Sequence, residues 1–425
     1  MAKHHSECHA NLWISPGIAR ILGRAGRDIA RSLRGAVVLS VGTIELLLLV
    51  AAIVAIAARR FHIPYGVGLV LAGIALSLWP HFPQIELSRE LIFIVLLPPL
   101  IFEAALYIDW RELRNDFAVI LALATAGVLL SACVTGLGLR YIAGWEWPSA
   151  LLFSVLIAAT DPVSVIATFK EAKKKGRLRF LIEAESLFND GTAAVAFTVC
   201  VALVLGQNVT PLEAGAVLIE TIAGGILCGA GVASAALLLA GRTDDHLVEI
   251  TLTTVGAYGS FLLAEHFGFS GVLATLTAGL IIGNVGTRTI SEKGKVAVQS
   301  FWEYAAFVAN SLVFLLLGIT STKENFFHVW RAAFAAIILV LAGRAGAIYL
   351  TLLPFSRSSA RVSAPHQHVL FWGGLRGALA LALALGLPAA VPRRDEIITI
   401  TFAVVAFSVF VQGLTVIPLL RRLGE

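Results

Sequence analysis

Charge is what this sequence has least of. Asp, Glu, Lys and Arg make up 14% of the 425 residues and 58% are hydrophobic, whereas roughly a quarter of a soluble globular chain is charged. With a mean hydropathy of +0.86, that balance excludes an ordinary soluble domain. Apolar runs recur along the full length, so a soluble protein with a single anchor is excluded too. Cysteine is equally sparse: Cys8, Cys133, Cys200 and Cys228 make no CxxC pair and no Cys/His cluster. Neither a disulfide framework nor a zinc centre is supported. The His4, His5, Cys8 and His9 group is read as part of a disordered terminus rather than a metal site. No GxxxxGK(S/T) phosphate loop occurs, so nothing points to ATP as the energy source, and no cofactor or nucleic-acid partner is expected. No linker or soluble domain breaks the hydrophobic series. The chain stops at Glu425, shortly after the last apolar run, so no large C-terminal regulatory domain is expected.

The runs that are present mark thirteen spans, at about 36–58, 64–80, 91–107, 116–139, 147–169, 180–205, 214–240, 247–267, 270–286, 300–320, 327–353, 367–391 and 396–420. The expected fold is an all-α polytopic membrane protein over residues 36–425. Residues 1–35 form a basic tail, expected to be disordered or to lie on the membrane surface as an amphipathic helix. Between spans 5 and 6, Lys170, Lys173, Lys174, Lys175, Arg177 and Arg179 concentrate positive charge. Setting that loop in the cytoplasm places 18 loop Lys and Arg inside and 5 outside, as the positive-inside rule requires. The N-terminus is then outside and the C-terminus cytoplasmic, with the tail's own Lys3, Arg20, Arg24, Arg27, Arg31 and Arg34 running against the rule. The cell (inner) membrane fits such a chain.

Against this apolar background, LIEAESLFNDGTA at 181–193 stands out. It lies within a span, where an ionised carboxylate costs about 2.5–3.5 kcal/mol unless it faces protein or a water-filled cavity. On a helix Glu185 and Asn189 stack four apart, as do Ser186 and Asp190, so two polar rows lie side by side. Hard oxygen ligands in that arrangement make a cation site, a proton site, or both. Protonating Asp190 would remove a charge and a ligand together, so proton and cation should exclude one another.

Two spans are expected to be broken. Thr160-Asp161-Pro162 sits near the middle of span 5, with proline suited to open a new half-helix and Asp161 to cap it. Gly373, Gly374, Arg376 and Gly377 interrupt span 12. Unwound backbone at that depth survives only where it is buried or lines a cavity. Spans 5 and 12 hold corresponding places in two six-span halves, 1–6 and 8–13, of opposite topology. Inverted repeats whose interrupted helices cross near the bilayer midplane point to a secondary transporter.

Each polar residue also has a plainer reading. Asp161 could serve as a helix cap and nothing more. Glu185 or Asp190 could be held in a buried ion pair with Arg344 or Arg376. Glu103 and Arg376 are read as a brace across the unwound segments. Glu303 and Asn310, seven apart, share a face, and helix packing suffices for Asn310. Glu45, Glu220 and Glu265 are read as structural or interfacial.

ATDPVSV at 159–165, ESLFNDGTA at 185–193, LLPPLIFEAAL at 96–106, GGLRGALAL at 373–381 and VFVQGLTVIPLL at 409–420 together resemble the sodium/proton exchangers of the monovalent cation:proton antiporter-1 family. The resemblance runs from about Val37 to Leu420. It implies that Asp190 alternately binds a proton or a cation, with Asp161, Glu185, Ser186 and the Thr160 carbonyl contributing to a sodium site. Asn189 matches the amide that replaces a second aspartate in electrogenic relatives, which implies electroneutral one-for-one exchange. Arg376, Glu103 and Arg344 match positions with supporting roles. A homodimer is implied, with a moving core of spans 4–6 and 11–13 and a dimerisation part of spans 1–3 and 7–10. The readings that compete are a potassium/proton antiporter with the same site, an intramembrane aspartyl protease using Asp161 and Asp190, and a cation channel. The protease lacks its Gly-x-Gly-Asp context here, and a channel needs a continuous pore.

Overall fold

The computed structural model describes residues 41–61, 63–80, 87–161, 165–166, 169, 176–205, 211–324 and 326–422, and all statements below concern those residues. The basic tail, Pro162 and the Lys-rich stretch 170–175 lie outside them. The principal helices are α1 (Val41–Phe61), α2 (Tyr65–Ser77), α3 (Leu91–Leu106), α4 (Trp110–Tyr141) and α5 (Trp147–Leu156). Then come α6 (Arg177–Val204), α7 (Pro211–Ala240), α8 (His246–His266), α9 (Gly271–Val285) and α10 (Glu292–Ser321). The series closes with α11 (Phe326–Leu352), α12 (Ala364–Gly373), α13 (Ala378–Leu385) and α14 (Arg394–Arg422). No strand occurs among the described residues.

Short polar connections set where helices begin. Asp109 accepts the Arg111 N–H at 2.7 Å ahead of α4, Asp245 accepts the Leu247 N–H at 2.9 Å ahead of α8, and Ser291 accepts the Gly294 N–H at 3.0 Å at the head of α10. Each side chain satisfies a first-turn donor that the helix leaves without a partner.

The architecture is a multi-pass helical membrane protein, though helix length yields fewer crossings than expected. Among the described residues eight helices are long and apolar enough to cross a membrane, and the bent pair α12–α13 would make a ninth. Every expected span coincides with a helical segment, but α2, α3, α5 and α9 are shorter than a 30 Å hydrocarbon layer demands. Side chains are distributed as lipid requires. Leu49, Ile53 and Ile56 of α1, Leu227 and Leu238 of α7, and Phe327 of α11 are exposed, while Glu185, Asn189, Arg344 and Arg376 are buried.

Without a hydrophobic drive between helices in lipid, close packing relies on small residues. A Cβ on Gly73 of α2 would run into the Leu315 carbonyl of α10, and one on Gly318 into the Val70 carbonyl. Gly73→Leu is therefore expected to force the two helices apart, at the upper end of the roughly 1–3 kcal/mol typical of overpacking. Thermal unfolding in detergent should show a lowered midpoint for Gly73→Leu and none for Gly42→Leu, since the space beside Gly42 is open.

Both expected interruptions are present in the described residues. Helix α5 stops at Leu156 and the chain runs non-helically to Asp161. Residues Gly374–Gly377 separate α12 from α13, which meet at a 40° bend. The two unwound segments pair directly, the Asp161 N–H donating to the Leu375 carbonyl at 2.8 Å. A half-helix opened by Pro162 falls outside the described residues.

Candidate cation and proton site

Helix α6 is unbroken across 28 residues and carries both polar rows, but the rows do different things. Glu185 and Asn189 turn into the protein. Glu185 Oε1 accepts from Arg344 Nη1 at 2.7 Å and from Asn189 Nδ2 at 3.0 Å, and Oε2 accepts from Arg344 Nη2 at 3.1 Å. Both groups of the ion pair are buried, with side-chain exposures of 2% for Glu185 and 6% for Arg344. Glu185 is thus engaged by a guanidinium and an amide and does not line the cavity described below. Glu185, expected among the sodium ligands, is paired with Arg344 in this structure, the arrangement that the plainer ion-pair reading describes. The cause is tertiary: α11 brings Arg344 alongside α6.

Asn189 holds the break in place with two of its three hydrogen bonds. Besides Glu185, its Nδ2 donates to Thr160 Oγ1 at 2.6 Å, and its Oδ1 accepts the Thr160 N–H at 3.2 Å. Ser186 Oγ donates to the Thr160 carbonyl at 2.5 Å. Helix α6 therefore grips Thr160 at its backbone donor, backbone acceptor and side chain, and so positions Asp161 next to it.

The two buried arginines serve the broken ends. The last carbonyls of a helix have no intrahelical donor and carry the negative end of its dipole. Arg376 Nη1 donates to the carbonyls of Ala158 and Ala159, both at 3.1 Å, just past the end of α5. Arg344 Nη2 donates to the Leu370 carbonyl in the last turn of α12 at 2.9 Å. Arg376 thus braces the unwound segments through these carbonyls, whereas Glu103, the expected partner in that brace, lines the cavity. Glycine is required where charge meets backbone: a Cβ on Gly374 would lie 2.7 Å from Arg344 Cζ, and one on Gly377 would enter the Asp161 carboxylate. Gly377→Ala is accordingly expected to displace Asp161 and lower cation-driven flux about tenfold or more, given the cost of ångström-scale misplacement. Flux per inserted protein in proteoliposomes checks this.

Ser186 and Asp190, the other row, face a cavity of about 510 Å³ together with Thr160 and Asp161. Asp190 Oδ1 is buried and has no hydrogen-bond partner among the described residues. Asp190 feels the charges of Asp161, Glu185 and Arg376. Glu183, elsewhere on α6, and Glu103 and Glu303 from other helices also line it, so five carboxylates do, with Arg59 as the cation in the wall. The Tyr107 hydroxyl donates to Glu303 Oε1 at 2.9 Å and lies within electrostatic reach of Glu103 and Glu183. An acid-lined cleft with low-dielectric walls concentrates cations. Among the described residues no three His, Cys, Asp or Glu side chains gather closely enough to hold a metal ion.

Sequence reading did not assign Glu183 or Arg59 to the site; it put Glu303 and Asn310 on one face and gave Asn310 to helix packing. Both Glu303 and Asn310 line the cavity. Their shared face on α10 was the available signal, but only the folded arrangement, with α10 and α6 lining one cavity, reveals what that face looks onto.

The sequence profile described as sodium/hydrogen exchanger, transmembrane matches residues 46–422. The chain belongs to the sodium/hydrogen exchanger family. It is 40% identical over 366 residues to the Na(+)/H(+) antiporter ApNhaP of Aphanothece halophytica, covering 85% of this chain and 70% of that protein. Over 362 residues it is 40% identical to the low-affinity Na(+)/H(+) antiporter NhaS1 of Synechocystis sp., covering 83% and 68%. The solved structure of the sodium proton antiporter MjNhaP1 from Methanocaldococcus jannaschii at pH 8 shares the fold, with a TM-score of 0.71, 22% identity, and coverage of 91% of this chain and 99% of that one. These exchanger-family relatives are named as antiporters rather than enzymes, so the aspartyl protease reading falls away.

Proposed function

We propose that the chain exchanges one sodium ion for one proton by alternating access, with the two competing for Asp190. One observation carries the reading: Asp190 Oδ1 is buried, without a partner among the described residues, at an acidic cavity where the two interrupted helices meet. An ionised carboxylate there must be neutralised before the surrounding helices can carry it through an apolar environment, and either H⁺ or Na⁺ suffices. Asp190 and Asp161 supply charge, and Ser186 Oγ and the Thr160 carbonyl complete an oxygen shell for a hard cation.

Charge balance supports a one-for-one stoichiometry. Around the break itself, apart from Glu103, Glu183, Glu303 and Arg59 in the rest of the cavity wall, Asp161, Glu185 and Asp190 are set against Arg344 and Arg376, leaving one negative charge, and Asn189 adds none. The reading includes a homodimer with a mobile core around α4–α6 and α11–α14, and a cytoplasmic C-terminus as the loop charges require. Proton flux driven by sodium in proteoliposomes, measured at zero and at imposed membrane potential, tests it. Equal rates at both potentials are expected, and rates that follow the potential would overturn the stoichiometry. Replacing sodium by potassium or lithium in the same assay decides the cation.

A further inference from the structure

A second cavity, of about 530 Å³, lies away from the ion site, between α11, α12 and the last turn of α14. Half-buried aromatic and aliphatic side chains, Tyr349, Phe371, Trp372 and Leu419, line it, and His368 and Arg422 bring polar and cationic groups to it. The Tyr349 hydroxyl and His368 Nδ1 are 2.7 Å apart, and the Tyr349 and Phe371 ring centroids are 5.9 Å apart. Trp372 Nε1 donates to Thr415 Oγ1 at 2.8 Å, which holds the indole against α14. No Asp or Glu is among the lining residues. Such a site, apolar along one stretch and basic at the other, suits a ligand with an acyl chain and a phosphate.

We propose that this cavity binds an anionic phospholipid of the bilayer, its phosphate held by Arg422, His368 and the Tyr349 hydroxyl, and its acyl chain laid along Phe371, Trp372 and Leu419. Charge complementarity identifies the occupant. Basic pockets between membrane helices on the cytoplasmic side take anionic headgroups, and aromatic rings with polar tips settle at that depth. The site touches the ion machinery through α12. Gln412 Nε2 donates to the Trp372 carbonyl at 3.1 Å, one residue before the helix ends at Gly373, and Arg344 reaches Leu370 two residues earlier. A lipid wedged against Trp372 would thus bear on the helix whose broken end faces Asp161.

Native mass spectrometry of the full chain, purified in detergent and offered phosphatidylglycerol or phosphatidylcholine, tests the proposal without relying on transport. Wild type is expected to retain phosphatidylglycerol preferentially, and Arg422→Gln to retain it about fivefold less, the scale of one basic side chain near anionic lipid. Trp372→Ala should lower retention of both lipids, and Arg357→Gln, outside the cavity, should leave retention as in wild type. Equal retention of the two lipids by wild type, or an equal loss in Arg357→Gln and Arg422→Gln, would overturn the site in favour of general surface charge. Displacement of bound lipid by soluble glycerol phosphate would overturn it in favour of a free phosphate ligand. Absence of sodium/proton exchange by wild-type protein that still retains phosphatidylglycerol preferentially would count against the proposed transport reading and support the lipid site independently.

Discussion

Asp190→Asn is expected to reduce sodium-driven proton flux to the background of empty vesicles, while the protein still inserts and unfolds near the wild-type temperature. The substitution keeps the volume and removes the charge. An amide can neither take up a proton at working pH nor offset the dehydration of a sodium ion, so both half-reactions fail together. Stability should change little, because Asp190 Oδ1 has no hydrogen-bond partner among the described residues, and the amide oxygen can still accept from the Thr160 backbone. Its desolvated charge is, if anything, a cost to the fold. Flux in proteoliposomes and thermal unfolding in detergent form the paired measurement. Wild-type flux in the variant would remove Asp190 from the centre of the mechanism.

Glu185→Gln is expected to do the reverse, costing stability first. It leaves Arg344 buried at 6% side-chain exposure with its carboxylate partner gone. Breaking one side of a buried pair costs about 3–5 kcal/mol, because the surviving charge stays desolvated. Arg344→Met should be similarly damaging, and it also abandons the Leu370 carbonyl at the end of α12. The double substitution Glu185→Gln with Arg344→Met should recover much of the loss, since no lone charge remains. Thermal midpoints of the four proteins form a double-mutant cycle that reads the coupling directly. If instead Glu185→Gln kept the midpoint and raised only the sodium concentration needed for half-maximal flux, Glu185 would be a ligand after all.

These two acids show how far the site was legible beforehand. Both lie in one short motif, five residues apart on α6, and nothing in the spacing separates their roles. A cost of burying charge marks them equally as inward-facing. What divides them is the neighbour each meets, Arg344 for Glu185 and an open cavity for Asp190, and those neighbours come from segments more than a hundred residues away or from empty space. The interruption at Gly374–Gly377 was readable because glycine and arginine inside an apolar run are costly wherever they fall. That it pairs with the segment before Asp161, backbone to backbone, was not.

The amino-acid order by itself decided that this chain is helical and lives in a bilayer. Long apolar runs leave water no alternative, and in hydrocarbon a helix satisfies every backbone group within its own segment. It likewise decided which polar residues had to point inward. Tertiary structure alone decided what those residues do there: which carboxylate is neutralised by a guanidinium, which carbonyls at broken helix ends receive an arginine, and which acid is left facing an open space. Electrostatic roles in low dielectric depend on separations of a few ångströms, and no pattern along a chain specifies distances between helices that meet only after folding.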